Sequence, residues 1–227
     1  MKVRRAAGHR QGTTPIVRRG TSYQQTLEAL FVDGAAMAGA DAVGVTRILH
    51  AAGIGAVVIG GLVVGCHTGR PRATQDLDLV IDAATLSRAV AKQLSTAVGA
   101  QTMETHPSFI SFLKKTSLGD REVLDVITSK AGSYGLVFAN AISLQIAGLT
   151  IQIPTAEMMV VLKYTAATNP IRQPAKQAQD WADILAILDA NPKLSVATIV
   201  YLADDVVPGW GEDLKRRIAV HRKSARP

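Results

Sequence analysis

The sequence predicts an α+β or α/β front half and a helical back half, and three observations carry that prediction. Short runs rich in Val, Ile and Leu recur at strand length through the first two thirds of the chain. Helix-periodic stretches are interleaved with the earliest of these runs, and beyond Pro154 only helical periodicity remains. Composition agrees. With 227 residues, 48% of them hydrophobic and 19% charged, the chain can bury a sizeable core. Aromatics are only 4%, so that core is built from Ala, Val, Ile and Leu, which suits strands alternating with helices better than a sandwich.

In order, residues 1–21 are rich in Arg, Gly and Thr without periodicity and read as a basic flexible arm. Residues 22–37 place Tyr23, Leu27, Leu30 and Phe31 at helical spacing. A second helix starts near Asp41, carries Val45, Ile48 and Leu49, and ends at Gly53. Residues 55–59 form a short buried strand that meets the pair Gly60 and Gly61, with a short helix at 61–67 broken by Thr68-Gly69-Arg70-Pro71. A strand follows at 76–81, then a helix at 83–98 with Leu86, Val90 and Leu94 on one stripe. Residues 109–115 and 122–128 read as an antiparallel pair turning at Leu118-Gly119-Asp120, and 142–146 with 149–153 as a hairpin turning at Ala147-Gly148. Pro154 suits a helix start, with Met158, Val161 and Leu162 as the packed face of 156–167. Residues 177–188 carry Trp181, Ile184, Leu185 and Leu188 as a stripe, and 195–204 and 211–220 complete the helical part.

The net charge of +7 resolves into two basic ends and an acidic middle. Residues 1–19 hold six basic side chains and no acid, residues 214–227 hold six more and no acid, and the body between them is left at −5. Such ends are either solvated tails or arms that grip nucleic acid. Neither a secretory signal nor an uncharged apolar stretch of membrane-spanning length is expected, which makes the cytoplasm the default compartment. The single cysteine, Cys66, rules out an internal disulfide framework and reads as a small buried apolar residue.

The chemistry concentrates between residues 57 and 82. On a strand, Asp76 and Asp78 share one face while Leu77, Leu79 and Ile81 take the other. Two carboxylates so close repel, and a hard cation between them resolves the conflict; magnesium, with manganese as an alternative, suits oxygen ligands that leave room for water and phosphate. At Gly60 and Gly61 the bare backbone permits close approach of a polyphosphate, and the following helix directs its free N–H groups toward the anion. Asp125, within Val123-Leu124-Asp125-Val126-Ile127, is either a third carboxylate of this site or an acid facing solvent on an edge strand. Rival motifs are missing. No Gly-rich loop ends in Gly-Lys-Ser or Gly-Lys-Thr, glycines 60, 61 and 65 do not spell the dinucleotide fingerprint, and His50, His67 and His106 lack metal-ligand spacing.

Taken together, Gly60-Gly61, Arg72-Ala73-Thr74-Gln75-Asp76-Leu77-Asp78-Leu79 and Leu124-Asp125-Val126 resemble the polymerase-β-type nucleotidyltransferase superfamily. The R-x-T-x-D-x-D form, followed by Lys163 and then Asp180, is similar to the AbiEii-like nucleotidyltransferases of bacterial toxin-antitoxin systems. The resemblance implies a nucleotidyltransferase fold, with a mixed sheet flanked by helices and a C-terminal helical part closing over the nucleotide. On that basis the chain divides into an arm at 1–21, a catalytic core at 22–153, the helical part at 154–221 and a basic tail at 222–227.

The resemblance also implies transfer of a nucleoside monophosphate from an NTP to a hydroxyl on tRNA, another RNA, a protein or a small molecule, with a cognate antitoxin as partner. Asp76 and Asp78 would be metal ligands, and Asp125 would complete a second metal site or activate the attacking hydroxyl. Gly60 and Gly61 would bind the triphosphate, and Lys163 would reach it from the helical side. Asp180 corresponds to the late family acid, with Asp183 as the alternative. Arg72 either contacts phosphate or serves as a counter-ion, and Thr74 orients its loop through its hydroxyl. The alternative from a different class is a catalytically silent nucleotide-sensing or RNA-binding module with the same fold.

Overall fold

The computed structural model describes residues 42–70, 72, 74, 76–128 and 134–224. The arm, the helix expected at 22–37 and its successor's cap at Asp41 lie outside the described residues.

The first described element, α1 (Ala42–Ala51), leads into β1 (Ala56–Ile59), whose four residues are all buried. That is why this strand reads as an unbroken apolar run: both its faces are covered. Helix α2 (Gly60–Thr68) follows without a linker and stops at Gly69, and β2 (Leu77–Ile81) returns antiparallel to β1. Next come α3 (Arg88–Val98), β3 (Thr102–Thr105), β4 (Phe109–Thr116) and β5 (Gly119–Thr128). A short α4 (Gly135–Ala139) precedes the hairpin of β6 (Ala141–Ile146) and β7 (Leu149–Pro154). The back half is α5 (Ala156–Ala167), α6 (Pro174–Ala190), α7 (Val196–Val206) and α8 (Trp210–Ser224).

The seven strands form one mixed sheet in the order β3-β4-β5-β2-β1-β7-β6. Its centre combines a parallel β5–β2 pair, an antiparallel β2–β1 pair and a parallel β1–β7 pair. Antiparallel hairpins build the two flanks. Helices α1 and α3 pack on each other, with α1 also against β1 and β7, while α2 packs against α5 and α6. A mixed sheet flanked by helices, with a helical C-terminal part, is therefore the architecture of the chain.

Several boundaries differ from the periodicity reading. Residues 83–87 are not helical: α3 begins at Arg88, because the Ser87 hydroxyl accepts a hydrogen bond from the Val90 amide and so caps it. Pro154 ends β7 instead of opening α5, whose cap is Thr155, accepting from the Met158 amide. The helix α8 runs to Ser224, so the boundary placed between 221 and 222 falls inside it. On α6 the buried face consists of Asp180, Asp183, Ile184, Ile187 and Leu188, while Leu185, expected in the stripe, is 36% exposed. Two elements went unread: β3, mostly exposed at the sheet edge, and the five-residue α4. Cys66 is buried and its thiol is pushed up to about 12, chiefly by burial, which is the behaviour of an inert core residue.

Candidate active site

Strand register brings the carboxylates together. Asp78 on β2 is the ladder partner of Asp125 on β5, so the two emerge side by side on one face of the sheet. Asp76 sits just before β2, and one carboxylate oxygen from each of the three lies within 4.8 Å of the others. Asp125 thus faces the site and not open solvent. Ser111, its partner on β4, donates its hydroxyl to Asp125 Oδ1 at 2.6 Å, and Thr74 donates to Asp76 Oδ1 at 2.9 Å and to the Asp76 carbonyl at 3.1 Å. These hydroxyls fix two of the three carboxylates before anything binds.

Electrostatics mark the same place. Burial, then the charges of Asp76 and Asp125, push Asp78 up to about 7, against the opposing pull of Lys163 and Arg172. Asp125 is pushed up to about 6, first by burial, with the Ser111 hydrogen bond opposing and Glu122 and Asp76 adding to the rise. Three converging carboxylates fit a divalent cation: the donor set is all oxygen, and their mutual repulsion is what a bound cation would relieve.

The glycine pair makes the approach possible. Gly60 has φ +75 and opens α2, and a Cβ there would overlap the Asp78 carboxylate. A Cβ on Gly61 would collide with the Arg72 guanidinium and crowd Thr74. Gly60 needs glycine for its left-handed backbone as well as for Asp78, and the bare Gly61 leaves room for Arg72 and Thr74, reasons additional to the phosphate approach read from the sequence. Helix α2 starts with no side-chain cap at Ile59, so its first amides are not held by one.

A cleft of about 180 Å³ lies between the triad and α5–α6, with Gly61, Asp78, Lys163 and Arg172 in its wall. Lys163 of α5, only 8% exposed, donates to Asp180 Oδ1 at 2.8 Å and lies 2.8 Å from Asp183 Oδ2 without hydrogen-bond alignment. Arg172 binds Asp180 Oδ2 at 2.6 Å, and Arg72 binds Asp183 Oδ1 at 2.9 Å. Asp180 and Asp183 are thus buried counter-ions for three cations. In this structure the partner of Arg72 is a carboxylate. The sequence reading missed Arg172 and Lys176, which also line the cleft. The only signal for Arg172 was its place between Pro170 and Pro174, and Lys176 lies one turn before Asp180.

No family model matches the chain, and no curated protein matches it. Among solved structures it is similar to an antigenic nucleotidyltransferase-like protein from Paracoccidioides brasiliensis, at 18% identity over 78% of this chain and 90% of that one, with a TM-score of 0.44. It is likewise similar to the antibiotic-resistance factor ANT(2'')-Ia, at 15% identity over 80% and 93% of the two chains, with a TM-score of 0.46. A lincosamide antibiotic adenylyltransferase, LnuA, in its lincomycin-bound form, is 15% identical over 66% of this chain and 99% of its own, with a TM-score of 0.43.

Proposed function

We propose that the chain is a magnesium-dependent nucleotidyltransferase that moves a nucleoside monophosphate from an NTP to a hydroxyl acceptor. The observation that carries the reading is the convergence of Asp76, Asp78 and Asp125 beside a wall of cations and an uncapped helix start. Acids on one side and cations on the other suit a polyphosphate bridged by a divalent ion.

When bound by Asp76, Asp78 and Asp125, magnesium or manganese would neutralise triphosphate charge and lower the pKa of the attacking hydroxyl. The chain's own groups do the remaining work. The first amides of α2 and the Lys163 ammonium hold phosphate oxygens, and Arg172, tethered by Asp180, supplies a second cation from the loop before α6. Asp125, held by Ser111, takes the proton of the attacking hydroxyl. The acceptor oxygen bonds to the α-phosphorus as the bond to pyrophosphate breaks, and pyrophosphate leaves with the electron pair.

The AbiEii-like setting, with a toxin role and a cognate antitoxin, draws its support from the motif order alone: R-x-T-x-D-x-D, Lys163, Asp180. The enzymatic reading is tested with α-labelled NTPs and total cell extract. Wild-type protein is expected to place label on an acceptor in the presence of magnesium, and Asp76→Ala or Asp78→Ala to reduce transfer at least about a thousandfold, the scale lost when transition-state charge stabilisation is removed. Full activity in both folded variants would overturn the assignment.

A further inference from the structure

We infer that Asp183 is a positioning residue for the nucleotide: it aims the Arg72 guanidinium at the start of α2, where Arg72 serves as a third cationic ligand of the triphosphate beside Lys163 and Arg172. The inference rests on the nucleotidyltransferase reading for the ligand and adds how one phosphate-binding side chain is set in place.

The two residues come from distant parts of the chain. Arg72 stands in the segment between α2 and β2, and Asp183 lies on the buried face of α6 in the helical part. Their contact is 2.9 Å, from Arg72 Nε to Asp183 Oδ1. At its other end the guanidinium reaches the glycine turn: a Cβ built on Gly61 would stand 2.1 Å from Nη1. An arginine presents its N–H donors in one rigid plane, so holding Nε on α6 and Nη1 against Gly61 fixes that plane. Among the described residues the Nη nitrogens have no hydrogen-bond acceptor, and Arg72 shares the cleft wall with Gly61, Lys163 and Arg172. The donors left over therefore stand beside the first amides of α2.

A counter-ion role alone does not account for this arrangement. Asp183, 3% exposed, already has Lys163 Nζ 2.8 Å from Oδ2 and the Gln179 side-chain amide donating to Oδ1 at 3.1 Å, so its charge is met without Arg72. The Arg72 side chain, 25% exposed, keeps access to water and needs no buried partner for its own sake. What the pair adds is direction. Lys163 and Gln179 hold the carboxylate still, and the carboxylate holds the guanidinium. Lys163 also donates to Asp180 Oδ1 at 2.8 Å, so removing the Asp183 charge releases Arg72 while Lys163 keeps a carboxylate.

A double-mutant cycle on the full chain, read as the Kd of a non-hydrolysable magnesium–NTP analogue in calorimetry, tests the inference. Arg72→Gln and Asp183→Asn are each expected to weaken binding about tenfold, the scale of one charge-assisted hydrogen bond, and the double variant to match Arg72→Gln within about twofold. If Asp183 acts through Lys163 or through stability alone, its substitution lowers affinity in the Arg72→Gln background as much as in wild type, and that result would overturn the inference. Wild-type affinity in folded Asp183→Asn would do the same. Should Asp183→Asn not fold, Arg72→Lys decides, because it retains the charge without the planar fork: a loss like that of Arg72→Gln is expected, and wild-type affinity would overturn the inference. If the wild-type protein binds no magnesium–NTP analogue, the nucleotidyltransferase reading falls and this inference with it, whereas additive losses on a protein that binds the analogue remove this inference alone.

Discussion

At Asp78 two demands conflict. The fold places it beside Asp76 and Asp125, and burial together with those charges raises its pKa to about 7 from an ordinary 3.8. In the unfolded chain the group ionises near its ordinary value. The folded state therefore binds more protons between about pH 4 and 7, and the stability associated with this carboxyl is present at low pH and lost as pH rises through about 7. A divalent cation needs the ionised form, so its binding strengthens over the same range. Thermal melts should accordingly show a magnesium-induced rise in Tm that is large at pH 8 and small at pH 5.5, with Asp78→Asn showing little rise at either. A rise independent of pH would show that the cation binds elsewhere.

At the scale of elements, the pairing of α5 with α6 depends on charge as well as apolar packing. Asp180 is 1% exposed and takes both Lys163 and Arg172, so its removal strands a buried ammonium that keeps only Asp183. Asp180→Ala is expected to cost about 3 kcal/mol or more in urea unfolding, while Lys163→Met/Asp180→Leu, which replaces the buried pair by apolar side chains, recovers most of that loss. An unchanged unfolding midpoint for the single variant would show the pair to be unimportant for stability. The same acids explain why the face of α6 was misjudged. Hydrophobic periodicity assigns Asp180 and Asp183 to water, and only their partners, Lys163 on the preceding helix and Arg72 a hundred residues earlier, reverse the assignment. By contrast β1, β2 and the β6–β7 hairpin were legible because their apolar runs end at glycines and turns. Edge strand β3, with a single large apolar residue, Met103, at 45% exposure, offered no such pattern.

For the whole molecule, the sheet order converts separated motifs into one site. Asp76, Asp78, Asp125, Gly61 and Lys163 were all readable as candidates from residue type and order, and the structure brings them around one cleft. Arg172 and Lys176 were not, since nothing local distinguishes them from surface charge. Because the site depends on the β2–β5 ladder, the ladder's apolar partners matter as much as its acids. Leu79 and Val126, paired one step beyond Asp78 and Asp125, are fully buried. Leu79→Ala should lower stability by about 2–5 kcal/mol, or Tm by roughly 5–15 °C, in differential scanning calorimetry. A change under about 1 kcal/mol would mean that the ladder is held from elsewhere.

The parallel pairing of β2 with β5 has a further consequence for how the molecule assembles. Strand β5 hairpins locally with β4, but α3, β3 and β4 lie between it and β2 in the chain. Joining them closes a long loop, and like charges must approach as it closes. A divalent ion present during refolding is expected to ease that approach, so that the same three carboxylates would couple cation binding to the rate at which this pair of strands is joined.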